Sequence, residues 1–134
     1  MRRRILSAGG FTLGLALLLA ITAGPSFAFE IAIEVAPNVL NLQSQGEVVT
    51  VHTDIDYDQV YVSAVFLNGL PLSFSKEDNR GFFVAKFLME EVKGLDLVIG
   101  GYNTLTLVGT TIDGQAFSGA QEIMVVDNVP AGRR

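Results

Sequence analysis

The stretch EVVTVHTDI, Glu47 to Ile55, decides the fold. Val49, Val51, Thr53 and Ile55 fall on one side of an extended chain, and Thr50, His52 and Asp54 fall on the other. A period of two, rich in β-branched residues, is the pattern of a strand with one face against a core. The Val and Thr side chains suit a pleated surface better than a helix, where they lose rotamer freedom.

The same alternation extends in both directions. Upstream, EIAIEVA (30–36) sets Ile31, Ile33 and Val35 against Glu30, Ala32 and Glu34. Pro37-Asn38 interrupts it, Leu40 and Leu42 resume in phase, and QSQG turns the chain at Gly46. Downstream, VYVSAVFLNG (60–69) predicts a strand ending at the turn pair Asn68-Gly69. SKEDNRG (75–81) reads as a polar loop. FFVAKF (82–87) follows, with Phe83, Ala85 and Phe87 on one face and Phe82, Val84 and Lys86 on the other. MEEVKG (89–94) reads as one helical turn or a plain connection. NTLTLVGT (103–110) and FSGAQEIMVVD (117–127) flank Asp113-Gly114, a strong hairpin signal. Strands do not alternate with long helices, which disfavours a parallel α/β fold. The expectation is an all-β chain: an immunoglobulin-like antiparallel β-sandwich of about seven strands, with a small closed barrel as the alternative.

The first 28 residues read differently. MRRR opens with positive charge, FTLGLALLLAITA (11–23) is a short apolar run, and GPSFA (24–28) breaks it. Ser26 and Ala28 stand at the −3 and −1 positions of a cleavage site, so residues 1–28 are expected to be a secretory signal peptide. The alternative is an uncleaved anchor, since no charge lies between Arg4 and Glu30. The expected domain is then 29–127, with a flexible tail at 128–134 and no integral membrane span after cleavage. The expected location is the periplasm or outside the cell.

Removing Arg2, Arg3 and Arg4 leaves six basic side chains against 14 acidic ones, a charge of −8. That balance disfavours nucleic acid and anionic membrane surfaces as partners. There is no cysteine, hence no disulfide, thiolate nucleophile or cysteine-held metal.

The order of PNVLNLQSQGEVVTV (37–51), VSAVFLNG (62–69), VAKF (84–87) and LTLVGTTIDGQAFSGAQEIMVV (105–126) resembles a secreted bacterial and archaeal immunoglobulin-like β-sandwich module. Its pattern runs P-x-x-L-N-L-x-S-x-G, then L-N-G, then V-K-F, then D-G-x-x-F-x-G. The resemblance covers nearly the whole chain after residue 28. It implies an accessory rather than a catalytic role. Such modules often carry an acidic D-x-D-G-D loop before V-K-F. Here the loop is SKEDNRG, with Lys76 and Arg80 beside Glu77 and Asp78, a departure from that pattern.

Few residues suggest chemistry. DIDYD (54–58) has the alternating carboxylates of a calcium loop, but Gln59 and Val65 stand where an EF-hand needs Gly and Glu. Asp56 and Asp58 remain weak metal candidates, a solvated turn is the plainer reading, and no cofactor is expected. His52 is the single histidine. Asp54 on its face could orient it, and Ser63, Ser73 or Ser75 could approach it, but no G-x-S-x-G elbow is present. Glu90-Glu91 are adjacent and cannot face each other across a substrate. Gly100-Gly101 precedes a strand, so it reads as a turn or bulge rather than a phosphate loop.

The most informative feature is apolar side chains at outward positions. If Leu105, Leu107, Ile123 and Val125 fill the core, then Phe82, Val84, Val108 and Met124 are expected at the surface as a binding patch. The leading expectation is an exported, non-catalytic module contacting another extracytoplasmic protein. The alternatives are a carbohydrate-binding module using Tyr57, Tyr61 and Tyr102, and a small hydrolase using His52.

Overall fold

A computed structural model of the chain describes residues 28–129. The expected signal peptide before Ala28 and the tail from Pro130 lie outside the described residues. The described chain is an all-β sandwich of two separate sheets, not a closed barrel.

The strands are β1 (Phe29–Glu30), β2 (Ile33–Ala36), β3 (Val39–Asn41), β4 (Val48–Asp56), β5 (Phe66–Leu67), β6 (Leu70–Pro71), β7 (Phe74–Glu77), β8 (Phe82–Leu88), β9 (Gly101–Thr110) and β10 (Ala116–Val126). One helix, α1 (Met89–Lys93), connects the sheets. The larger sheet has the order β1-β10-β9-β5-β6, with β3 also on β10. The smaller has the order β2-β4-β8-β7.

Among the described residues, ten strand segments stand where about seven were expected, because two regions are broken up. Val60, Val65 and Leu67 are all buried. Val60 and Val65 are an odd number of residues apart, so one continuous strand would point them to opposite faces. A 3-10 turn at Val62–Ala64 corrects the phase, and only Phe66–Leu67 remains as strand. The N-terminal stretch also divides. β1 and β3 run parallel to β10 in the larger sheet, while β2 between them pairs antiparallel with β4 in the smaller. The expected loop 75–81 also begins as strand, since β7 pairs Phe74 with Lys86 and Glu77 with Phe83.

The crossing from β1 to β2 depends on a glycine. Gly119 lies under it, and a Cβ there would stand 2.7 Å from the Ile31 carbonyl oxygen. Gly109 makes room in the same way for the Phe117 ring, whose edge would collide with an added Cβ. The sheets are also tied by Gln121 of β10, whose Oε1 accepts from the Val35 N–H at 2.6 Å. That bond satisfies a donor on the edge strand β2 that would otherwise be open to pairing.

Phe83, Phe87 and Phe117 are fully buried between the sheets, with Leu67, Leu105, Leu107 and Ile123 around them. Burying each such side chain stabilises the fold by about 1.5–3 kcal/mol. The stretch 47–55 behaves as its alternation requires: Val49, Val51, Thr53 and Ile55 face the core, and His52 and Asp54 face water. Thr53 is the one polar member of that row, and its hydroxyl donates to the Phe83 carbonyl at 2.6 Å. Both expected turns form. Asn68 and Gly69 hold positive φ (47° and 87°) in the β5–β6 turn, and Gly114 does so (89°) between β9 and β10. Past β10, Asn41 and Gln43 clasp the outgoing chain: Asn41 Nδ2 donates to the Asn128 carbonyl (2.8 Å) and Gln43 Nε2 to Asp127 Oδ1 (2.6 Å).

Candidate functional site

A sandwich has two outer faces, and the four apolar candidates divide between them. Phe82 and Val84 lie on β8 and point outward from the smaller sheet. Val108 on β9 and Met124 on β10 point outward from the larger sheet. The two pairs therefore face opposite sides of the molecule and do not form one patch.

Val84 also fails to surface. It is 0% exposed. It sits on a central strand between its cross-strand partners His52 and Lys76, and side chains of that length cover a shorter neighbour with their stems. Phe82 is half-buried, with the Arg80 guanidinium 5.2 Å from its ring centre. Nearby, Lys86 stands 5.7 Å from the Phe74 ring centre. Glu34 and Asp54 complete this face, which is charged across its width.

The larger sheet presents a different surface. Outward from β9 come Tyr102, Thr104, Thr106, Val108 and Thr110, and the register places beside them Met124, Glu122, Ala120, Ser118 and Ala116 of β10. Val39 of β3 extends the Tyr102–Met124 row, and Phe66 of β5 extends the Val108–Ser118 row. Tyr102 is 66% exposed, Val39 51% and Val108 41%. Met124 is half-buried between Val39 and Tyr102. Across β5, β9 and β10 one outward side chain is charged, Glu122; Glu30 of β1 adds a second at the margin.

His52 lines a shallow cleft of about 330 Å³ with Glu34, Asp54, Arg80 and Gln121. Thr53 supplies the hydroxyl in that lining, and it already donates to Phe83. Ser63, Ser73 and Ser75 do not line the cleft. Asp54 Oδ1 accepts from the Ala32 N–H at 2.9 Å, so one of its oxygens serves the backbone.

Asp56 and Asp58 are exposed and line different grooves, Asp56 with Glu30 and Asp54, Asp58 with Asp113. Among the described residues, no three His, Asp or Glu side chains gather closely enough to hold a metal ion. Nor is any helix among them long and apolar enough to cross a membrane. In SKEDNRG, Asp78 Oδ1 accepts from the backbone N–H groups of Arg80 (2.8 Å) and Phe82 (2.9 Å). Its carboxyl is held below the usual value, first by the Phe82 N–H and then by the Arg80 N–H and guanidinium, against some desolvation. This acid shapes a turn.

The chain matches no family model, no curated protein and no solved structure.

The outward face of the larger sheet thus contains two of the four sequence candidates. Sequence reasoning missed Val39 and Phe66, because each joins the face only through pairing with a distant strand. The signal that could have found the face lies in GYNTLTLVGT: its outward positions hold no charge over ten residues of strand. Of the tyrosines, Tyr57 packs on Phe83 with ring centres 6.1 Å apart and belongs to the core, while Tyr61 and Tyr102 are exposed.

Proposed function

We propose that this chain is an exported, immunoglobulin-like β-sandwich module that works outside the cytoplasm by holding another protein rather than by transforming a substrate. The observation that carries this reading is the outer face of the larger sheet. Tyr102, Val39, Val108 and Phe66 stand exposed there around Thr and Ala, with Glu122 as the one charge on the central strands. An aromatic and aliphatic surface depleted of charge is the composition of an interface core.

The immunoglobulin-like assignment is supported by pairing order. β2-β4-β8-β7 stacks on β10-β9-β5-β6, and the N-terminal strand switches sheets to run parallel with the last one. Export is supported by the sequence of residues 1–28 alone. The non-catalytic reading is supported by the cleft at His52, where the lining hydroxyl is already committed to a buried carbonyl.

Two measurements test the proposal. The mass of the chain recovered outside the cytoplasm should correspond to a start at Phe29; recovery of the intact chain from the cytoplasm would sink the export reading. Cross-linking in the native envelope should yield a protein adduct that Tyr102→Lys removes and Thr50→Lys, on the opposite sheet, retains. The exposed Tyr61 and Tyr102 favour glycan binding as a second reading. They lie near opposite ends of β9, about 26 Å apart at ~3.3 Å per residue, so that reading requires a long polysaccharide and retention on an insoluble one.

A further inference from the structure

We infer that Asn68 is a site of spontaneous chemical modification: it converts to aspartate and isoaspartate whenever the β5–β6 corner opens, and its side-chain bonds to β9 keep it intact while the chain is folded.

The corner itself creates the labile site. A two-residue hairpin turn needs positive φ at both central positions, and Asn68 (47°) and Gly69 (87°) supply it. Asparagine is a thermally labile residue. Glycine following it has no side chain to shield its amide. Both residues are exposed, and a Cβ added at Gly69 would meet nothing within 4 Å, so water reaches the turn. The Gly69 N–H makes no backbone hydrogen bond among the described residues, which leaves its nitrogen free to react. The chain has six asparagines, and Asn68 alone precedes a glycine. The others precede Val, Leu, Arg or Thr, whose side chains crowd the same approach.

The conversion consumes only water. The Gly69 nitrogen passes its proton to solvent base and attacks Asn68 Cγ. The N–Cγ bond forms, the Cγ–Nδ2 bond breaks, and Nδ2 takes up a proton and leaves as ammonia. Water then opens the five-membered succinimide at either carbonyl. Opening at Cγ gives aspartate. Opening at the main-chain carbonyl gives isoaspartate, with the chain running through Cβ. The sum is amide plus water to carboxylate plus ammonium, with no change of oxidation state.

The fold stands in the way of ring closure. Asn68 Oδ1 accepts from the Thr106 N–H (2.7 Å), and Nδ2 donates to the Thr104 carbonyl (3.2 Å). The Asn68 N–H donates to the Thr106 carbonyl (3.0 Å). Both ends of the side-chain amide are thus held on β9, and Cγ reaches the Gly69 nitrogen only after both let go. Local openings of this kind are rarer than the closed state by the free energy they cost. Once made, the change does not restore the clamp. Aspartate has no donor for Thr104 and sets a carboxylate against that carbonyl. Isoaspartate adds a methylene to the main chain of a turn that joins Leu67 to its partner Leu70. Strand β5 is two residues long, so loosening its corner loosens the strand that brings Phe66 to the outer face.

The test is peptide mapping of the purified chain held in mildly alkaline buffer, with and without denaturing urea. The mass gain of amide-to-acid conversion and labelling of isoaspartate report on each asparagine. In urea Asn68 should convert well ahead of the other five, and Gly69→Ala should suppress its conversion, a comparison that does not depend on folding. Without urea Asn68 should convert at least about tenfold more slowly, because two hydrogen bonds must open first. Asn68→Asp should melt below the wild type. An Asn68 that in urea is no faster than the other asparagines, or a Gly69→Ala chain that converts equally fast, would overturn the site. Equal rates with and without urea would overturn the guarding role of β9. Equal melting of Asn68→Asp and wild type would overturn the loss of the clamp.

Discussion

Val84 and Val108 are the same residue type, each on an inner strand of its sheet and each pointing away from the core, yet Val84 is 0% exposed and Val108 41%. The difference lies in what stands across the strands. Val84 has His52 and Lys76 as partners, and long side chains cover short ones with their stems while their heads stay in water. Val108 has Ser118 on one side and Phe66 on the other, and serine covers nothing. One sheet thus sets charged residues among its outward apolar ones and hides Val84, although Phe74 and Leu88 at its margin stand exposed (49% and 43%); the other has one charge on its central strands. Alternation along a strand tells which side a residue faces; the reach of its cross-strand neighbours tells whether water finds it.

The largest expected effect sharpens that contrast directly. Val84→Asp desolvates a carboxylate at a fully buried position, where Lys76 and His52 across the strands return only part of the cost, and should cost about 3 kcal/mol or more in chemical denaturation. A loss below about 1 kcal/mol would mean that the cover over Val84 opens readily. Next in size is the link between the sheets. Gln121→Ala leaves the Val35 N–H without its acceptor and should cost about 1–3 kcal/mol, with faster hydrogen exchange at Val35 than at Val51.

A smaller effect comes from the charged side of the molecule. The folded Asp78 carboxyl titrates below its ordinary value of 3.8, so the stability it gives is present above that value. It is lost as pH falls through the lower folded value. Asp78→Asn keeps an oxygen for the Arg80 and Phe82 N–H groups but cannot titrate, so its melting temperature should fall less steeply than the wild type's below about pH 4. Parallel curves would remove Asp78 from the acid response. The smallest effect is Val108→Asp, expected within about 0.5 kcal/mol. A loss as large as that of Val84→Asp would erase the distinction between the faces.

Much of the fold could be read from the sequence because the alternating stretches 47–55, 82–87, 103–110 and 117–127 are long enough to declare their inward side. Asn68-Gly69 and Asp113-Gly114 marked their turns because both need positive φ, which few residues adopt without cost. β7 escaped because an edge strand has little to bury: Lys76 and Glu77 look like loop residues and still pair with β8. The division of the N-terminal strand escaped because sheet membership is set by contact with β4 and β10, far along the chain. The binding patch was half legible for the same reason. Met124 and Val108 follow from phase, whereas Val84 needed the identities of His52 and Lys76 as neighbours, and Val39 and Phe66 needed their register.

The parallel placement of β1 and β3 against β10 has a mechanical consequence. A pull that enters ahead of Phe29 and leaves past Val126 draws these strands lengthwise past each other, so their hydrogen bonds are strained together instead of opening one after another. The clasp from Asn41 and Gln43 to Asp127 and Asn128 lies on the same line of tension. A domain threaded this way resists being stretched from its ends far better than being peeled from β7, a useful property for a link that must stay folded under load.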